Sequence, residues 1–250
     1  MRRKLIAGNW KMFLGIEEAK SLASAVVNLT DNNGPDILLC PSFILIPPVQ
    51  EVVRGSHVRV GAQNLYWEEK GAYTGEISAM MLLDAGCTHV LIGHSERRQY
   101  FGETDSTVRR KTATALEKGL IPVVCVGETL EDREEGRTET VIENQISRAL
   151  ERFKAEEAAK VVIAYEPVWA IGTGQTATPE AAQEVHSQIR RWIKDRYDKE
   201  IADGIRILYG GSIKPDNATE LFSEEDIDGG LVGGASLNAD SFKAIIDAAG

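Results

Sequence analysis

The chain has 250 residues, 43% of them hydrophobic, and a formal net charge of −10. A chain of this size can bury roughly 70–75% of its unfolded surface in one large α/β domain, and no apolar stretch approaches transmembrane length. Arg and Lys are scattered among acids, which excludes the concentrated basic surface that nucleic acid requires. An acidic protein that binds a small anion needs a local positive site strong enough to overcome its global field.

The opening MRRKLIAGNWK carries basic residues, but its apolar run is broken at Asn9, Trp10 and Lys11, so it is not expected to be a signal-peptide core. Apolar runs expected as strands follow at 5–10, 37–40, 58–62, 89–93, 121–126, 161–165, 205–209 and 230–232, eight in all. Between them lie helical faces: Leu22, Val26 and Leu29; Ile142, Ile146, Ala149 and Leu150; Val185, Ile189, Trp192 and Ile193; Phe242, Ile245, Ile246 and Ala249. Alternating strands and amphipathic helices imply a parallel sheet, because parallel neighbours need a crossover and helices must cover the sheet. No linker or composition break marks a boundary within 1–250, so one domain is expected. A closed (β/α)8 barrel fits better than an open doubly wound sheet, which would leave two edges to protect.

Chemistry in such barrels sits on the loops after the strands. That rule places Asn9 and Lys11 after the first strand, His94 after the fourth and Glu166 after the sixth, with Gly210, Gly211 and Ser212 after the seventh and Gly233 and Gly234 after the eighth. An amide, a cation, an imidazole, a carboxylate and two glycine-rich anion cradles thus share one face. The stretch AYEPVWAIGTGQTAT at 164–178 leaves its strand at Glu166, where Pro167 cannot join a ladder. Its apolar, glycine-containing loop reads as a lid. Thr178 and Pro179 then start a helix as N-cap and first helical residue.

The segments GNWKM at 8–12, GHSERR at 93–98, AYEPVWAIGTG at 164–174, YGGS at 209–212 and LVGGASL at 231–237 closely resemble those of the triosephosphate isomerase family, in order and over the whole length. The resemblance implies a TIM barrel that interconverts dihydroxyacetone phosphate and D-glyceraldehyde 3-phosphate without a cofactor, a step of glycolysis and gluconeogenesis. It makes Glu166 the base, His94 a neutral hydrogen-bond donor at a helix start capped by Ser95, Lys11 the cation and Asn9 a donor to the substrate oxygen. Glu96 joins the same network and orients Lys11. Gly172, Ser212, Gly233 and Gly234 match the family's phosphate contacts, and Cys125 is expected to support Glu166 from below. The pattern Gly172, Gly174, Ala177 also fits a loose dinucleotide fingerprint, rejected because no strand directly precedes it.

The long loop 64–76, NLYWEEKGAYTGE, carries Tyr66, Trp67 and Tyr73 among charges, which suggests an interface. In the family it docks into the other subunit of a homodimer, and Thr74 matches the residue that reaches the partner's site. Cys40, Cys87 and Cys125 are odd in number and lie in apolar runs, so reduced thiols and a cytoplasmic location are expected. Zinc-ligand spacings are absent, so no metal is expected. His57, His89 and His186 match no catalytic motif. Two rival functions are a Schiff-base aldolase using Lys11 and a non-catalytic scaffold; the scaffold reading is disfavoured because Glu166, His94 and Lys11 are all present.

Overall fold

The computed structural model describes residues 2–171 and 176–250. The eight strands are β1 (Leu5–Asn9), β2 (Asp36–Cys40), β3 (Val58–Ala62), β4 (His89–Ile92), β5 (Ile121–Val126), β6 (Val162–Tyr165), β7 (Ile207–Tyr209) and β8 (Gly229–Val232). Each pairs in parallel with its sequence neighbours, and β8 returns to β1, so the sheet closes into a barrel with no free edge. Closure decides between the two architectures that alternation alone allowed.

Alternation along each strand divides the apolar residues into two layers. Leu5, Ala7, Leu38, Leu91, Val123 and Leu208 point inward and fill the barrel. Ile6, Leu39, Val60, Val124, Ile163 and Ile207 point outward against the helices. At the C-terminal end the inward series ends in polar or small residues: Asn9 continues the inner row of Leu5 and Ala7. The same pleat that packs the core therefore aims the chemistry at the barrel mouth.

Expected and observed strand limits differ by one or two residues, and each difference has a cause. Residues 205 and 206 precede β7 because the helix Lys199–Gly204 ends on Ile205, whose N–H still bonds back to Ile201. Gly93 leaves β4 at φ 73, a left-handed turn that starts the next helix without Cβ strain. The expected helical faces are buried except at two positions: Leu29 is exposed at the last turn of Ile16–Leu29, and Trp192 is half-buried. Among the described residues, no helix is long and apolar enough to cross a membrane.

Candidate active site

A cavity of about 690 Å³ opens at the C-terminal end of the barrel, lined by Asn9, Lys11, His94 and Glu166 and by Gly210, Gly211, Ser212, Gly233 and Gly234. The residues that strand-end reasoning placed on one face thus meet around one space. Gly172 and Gln175 lie outside the described residues. The wall also includes Ala170 and Ile171 from the start of the expected lid, and Lys214 and Asp216 from the loop after β7.

Glu166 follows β6 and is almost fully buried. Its backbone passes so close to the end of β5 that a Cβ on Gly127 would fall 1.8 Å from the Glu166 carbonyl oxygen, so only glycine fits there. The carboxylate receives the Ser95 backbone N–H at 3.0 Å on Oε2 and the Ser95 hydroxyl at 3.1 Å on Oε1. Ser95 was expected to cap its helix; instead it is the first helical residue and spends its hydroxyl on Glu166. Beneath lies buried Cys125, whose thiol is pushed up by burial and by the neighbouring Glu166 charge, which keeps it a neutral support.

The helix cap is His94 itself. Its Nδ1 accepts from the Glu96 backbone N–H at 3.2 Å, which assigns the ring hydrogen to Nε2. Nε2 faces the site, 3.0 Å from Glu166 Oε1 and 3.2 Å from Asn9 Nδ2. The segment GHSE therefore builds an imidazole donor by spending its other nitrogen on the helix start.

Lys11 adopts φ 50, a left-handed conformation that costs a non-glycine residue about 1–2 kcal/mol. Three bonds hold it there. Its N–H donates to Asn9 Oδ1 at 3.1 Å, its carbonyl accepts from Gln63 Nε2 at 2.8 Å, and its ammonium meets Glu96 Oε1 at 2.6 Å. A Cβ on Gly233 would lie 3.9 Å from Lys11 Nζ, so the cation overhangs the glycine cradle after β8. There the 3-10 helix Gly234–Leu237 begins, and its first N–H groups have no partner within the helix. The Gly233 carbonyl is turned away, accepting from Ser236 N–H and Oγ.

A whole-chain comparison identifies the relatives. The Triosephosphate isomerase family profile matches residues 4–249. The chain belongs to the triosephosphate isomerase family. It is 52% identical over 247 residues to the triosephosphate isomerase of Geotalea uraniireducens (strain Rf4), covering 98% of each chain. To that of Chloroherpeton thalassium (strain ATCC 35110 / GB-78) it is 52% identical over 251 residues, covering 100% of both. The triosephosphate isomerase of Endomicrobium trichonymphae is also 52% identical, over 98% of each chain.

Beside these triosephosphate isomerase family motifs the structure adds residues that sequence reasoning did not reach. Gln63 is one, since nothing local to QN at 63–64 points to Lys11. Buried Glu128 is another: its Oε1 accepts from Trp169 Nε1 at 2.8 Å and from the Tyr165 hydroxyl at 3.1 Å, and Arg133 stacks on the Trp169 ring at 4.6 Å. These contacts tie down the leading end of the expected lid. Thr178 and Pro179 start the helix Pro179–Arg196 as expected, with the Thr178 hydroxyl accepting from Ala181 N–H. Thr74 is exposed and does not line this chain's own cavity.

Proposed function

We propose that this triosephosphate isomerase works through Glu166 as base and His94, Lys11 and Asn9 as the groups that stabilise an enediolate, with no cofactor. One observation carries the assignment: Glu166 Oε1 and the protonated Nε2 of His94 stand 3.0 Å apart at the cavity that Lys11 overlooks. In dihydroxyacetone phosphate, Glu166 takes a proton from C1 as the C2 carbonyl oxygen gains charge. His94 Nε2–H and the Lys11 ammonium meet that charge, the C2 oxygen gains the proton that the C1 hydroxyl gives up, and Glu166 returns its proton at C2, which leaves C1 as the aldehyde of glyceraldehyde 3-phosphate. A base of this kind contributes about 10²–10⁴-fold, and each pre-organised donor about 2.7–4 kcal/mol.

Ser212, Gly233, Gly234 and Gly172 are assigned to the phosphate, where backbone N–H groups suit a dianion without an arginine cluster. Lys11 supplies the nearby positive charge. Its ion pair with Glu96 suits electrostatic work rather than the nucleophilic attack of a Schiff-base aldolase.

The active form is proposed to be a cytoplasmic homodimer of one-domain subunits, docked through the 64–76 loop with Thr74 at the partner's site. Large exposed apolar residues at the ends of β1, β2 and the helix Ser95–Phe101 support this: Met12 is 93% exposed, Ile44 77%, Tyr100 68% and Phe101 65%. Three free, buried cysteines suit a reducing compartment.

The test is steady-state isomerisation of glyceraldehyde 3-phosphate by the wild type and Glu166→Ala, with deuterium uptake from D2O into product. Fast wild-type turnover with deuterium at the exchanged carbon, and loss of both in the variant, is expected. A folded, inactive wild type would move the scaffold reading to first place, and an active Glu166→Ala would remove Glu166 as the base.

A further inference from the structure

Asn217 immediately precedes the helix Ala218–Ser223, where asparagine ordinarily caps a helix with its own side chain. Here the side chain makes no cap bond and turns back into the loop after β7. Its Oδ1 accepts from the Lys214 N–H at 2.8 Å, and its Nδ2 donates to the Ser212 carbonyl at 3.0 Å. The loop is pinned on its other side by Ile213. Gly230 in β8 leaves the space that Ile213 fills, since a Cβ there would lie 2.5 Å from Ile213 Cδ1.

Ser212, Ile213 and Lys214 line the cavity and Asn217 does not. A Ser212 carbonyl bonded to Asn217 therefore faces away from the cavity. The peptide is rigid and trans, so the Ile213 N–H on the same plane is turned the opposite way. A carbonyl oxygen repels an anion where an N–H attracts it.

We propose that Asn217 is a positioning residue for anion binding: by holding the Ser212 carbonyl outward it ensures that this loop meets the phosphoryl group with donors alone. The inference rests on the phosphate assignment above and extends it to a residue that touches no substrate atom. Without the Nδ2 donor, the Ser212–Ile213 peptide is free to rotate and present its oxygen.

Two variants separate this role from a structural one. N217S is neutral and too short to reach Ser212, so it carries the test, while N217D retains the acceptor for Lys214 N–H, loses the donor and adds a negative charge, so its effect counts only beside a rise in N217S. In both, KM for glyceraldehyde 3-phosphate and the competitive inhibition constant of inorganic phosphate, read at fixed ionic strength, are expected to rise together. The rise is about fivefold, the worth of one neutral hydrogen bond. The kcat of the folded enzyme is expected to stay within about twofold, because the reacting groups are untouched. Unchanged constants in either variant, or a loss confined to kcat, would overturn the proposal. A wild type that inorganic phosphate does not inhibit competitively would overturn the phosphate assignment and this inference with it.

Discussion

Gln63 braces the backbone of Lys11 from the end of β3, two strands along the barrel: its Nε2 donates to the Lys11 carbonyl at 2.8 Å and to the Cys40 carbonyl at 2.9 Å. The first bond lands on Lys11, the one non-glycine residue among the described cavity residues with a left-handed backbone, at φ 50. Gln63→Ala removes two bonds and leaves the Lys11 carbonyl unmet, while that of Cys40 keeps the Trp10 N–H, an expected destabilisation of about 1–3 kcal/mol in urea unfolding. It also frees Lys11 to relax toward φ below zero, which draws the ammonium off the cradle. The expected fall in kcat/KM is about tenfold, equivalent to about 1.4 kcal/mol. If stability falls and kcat/KM holds, the bonds to Asn9 and Glu96 suffice to place the cation.

The Glu96 N–H on His94 Nδ1 fixes the tautomer, and NMR of 15N-labelled histidine reads it directly. The spectrum is expected to show one resonance in which Nε2 is protonated and Nδ1 is a bare acceptor. His94→Gln, which loses the pre-organised ring donor, is expected to lower kcat by about 10²–10³-fold with a smaller change in KM. A protonated Nδ1 in the free enzyme would contradict the bond from Glu96.

Period and strand-end position were enough to find β1 to β8 and the cavity set of Asn9, Lys11, His94 and Glu166, and they favoured the barrel that closure of β8 on β1 decides. Each of these is announced by a local signal: an apolar run ends and a chemical group follows. Gln63, Ser95 and Glu128 are different in kind. Their partners Lys11, Glu166 and Trp169 lie 52, 71 and 41 residues away along the chain, so no periodicity or spacing points to them. Ser95 shows the limit most clearly. A serine after His94 reads as an N-cap, and the tertiary structure instead gives the cap to the imidazole and the hydroxyl to Glu166. Asn217 hides for the same reason, at a position where capping is the ordinary use of asparagine.

Acid stability follows from two histidines that catalysis does not use. Burial holds His89 down to about 3, reinforced by the Arg206 and Arg59 charges, and burial holds His186 down to about 4. The folded state thus binds both rings neutral, whereas the unfolded chain protonates them near 6.5. Their contribution is full above about pH 6.5 and is lost as pH falls toward those folded values, by up to about 1.4 kcal/mol per pH unit for each ring. Glu103 adds a loss at lower pH. Burial alone would raise its carboxyl, but hydrogen bonds from Lys111 and Arg97 hold it below its usual range. His89 Nε2 has no hydrogen-bond partner and Nδ1 meets only the Thr88 hydroxyl at 2.7 Å, which also reaches the Val60 carbonyl, so His89→Leu is expected to cost about one hydrogen bond, roughly 1 kcal/mol, at pH 7. Urea unfolding at pH 7 and pH 5 is expected to show a smaller acid loss in the variant than in the wild type. Equal losses would mean that His89 does not drive the acid sensitivity.

The 64–76 loop is the proposed docking element of the homodimer. The Tyr66 ring packs tilted against Trp67 at 4.1 Å and against Tyr73 at 4.9 Å, which stiffens the loop around exposed Thr74. Met12 and Phe13, exposed beside strained Lys11, and Tyr100 and Phe101, at the end of the helix that His94 caps, are left uncovered on one chain. Covering these residues would immobilise both the Lys11 turn and the helix that sets the His94 tautomer, so assembly and activity are expected to fall together. Thr74→Arg puts a bulky, strongly hydrated cation on this loop, where a fitted interface would have to desolvate it. In sedimentation equilibrium the wild type is expected at twice the chain mass and the variant at the chain mass. Activity per chain in the variant is expected to fall by at least about tenfold, the equivalent of about 1.4 kcal/mol of lost positioning. A Thr74→Arg chain that sediments as a monomer with full activity would mean that the site is complete within one subunit.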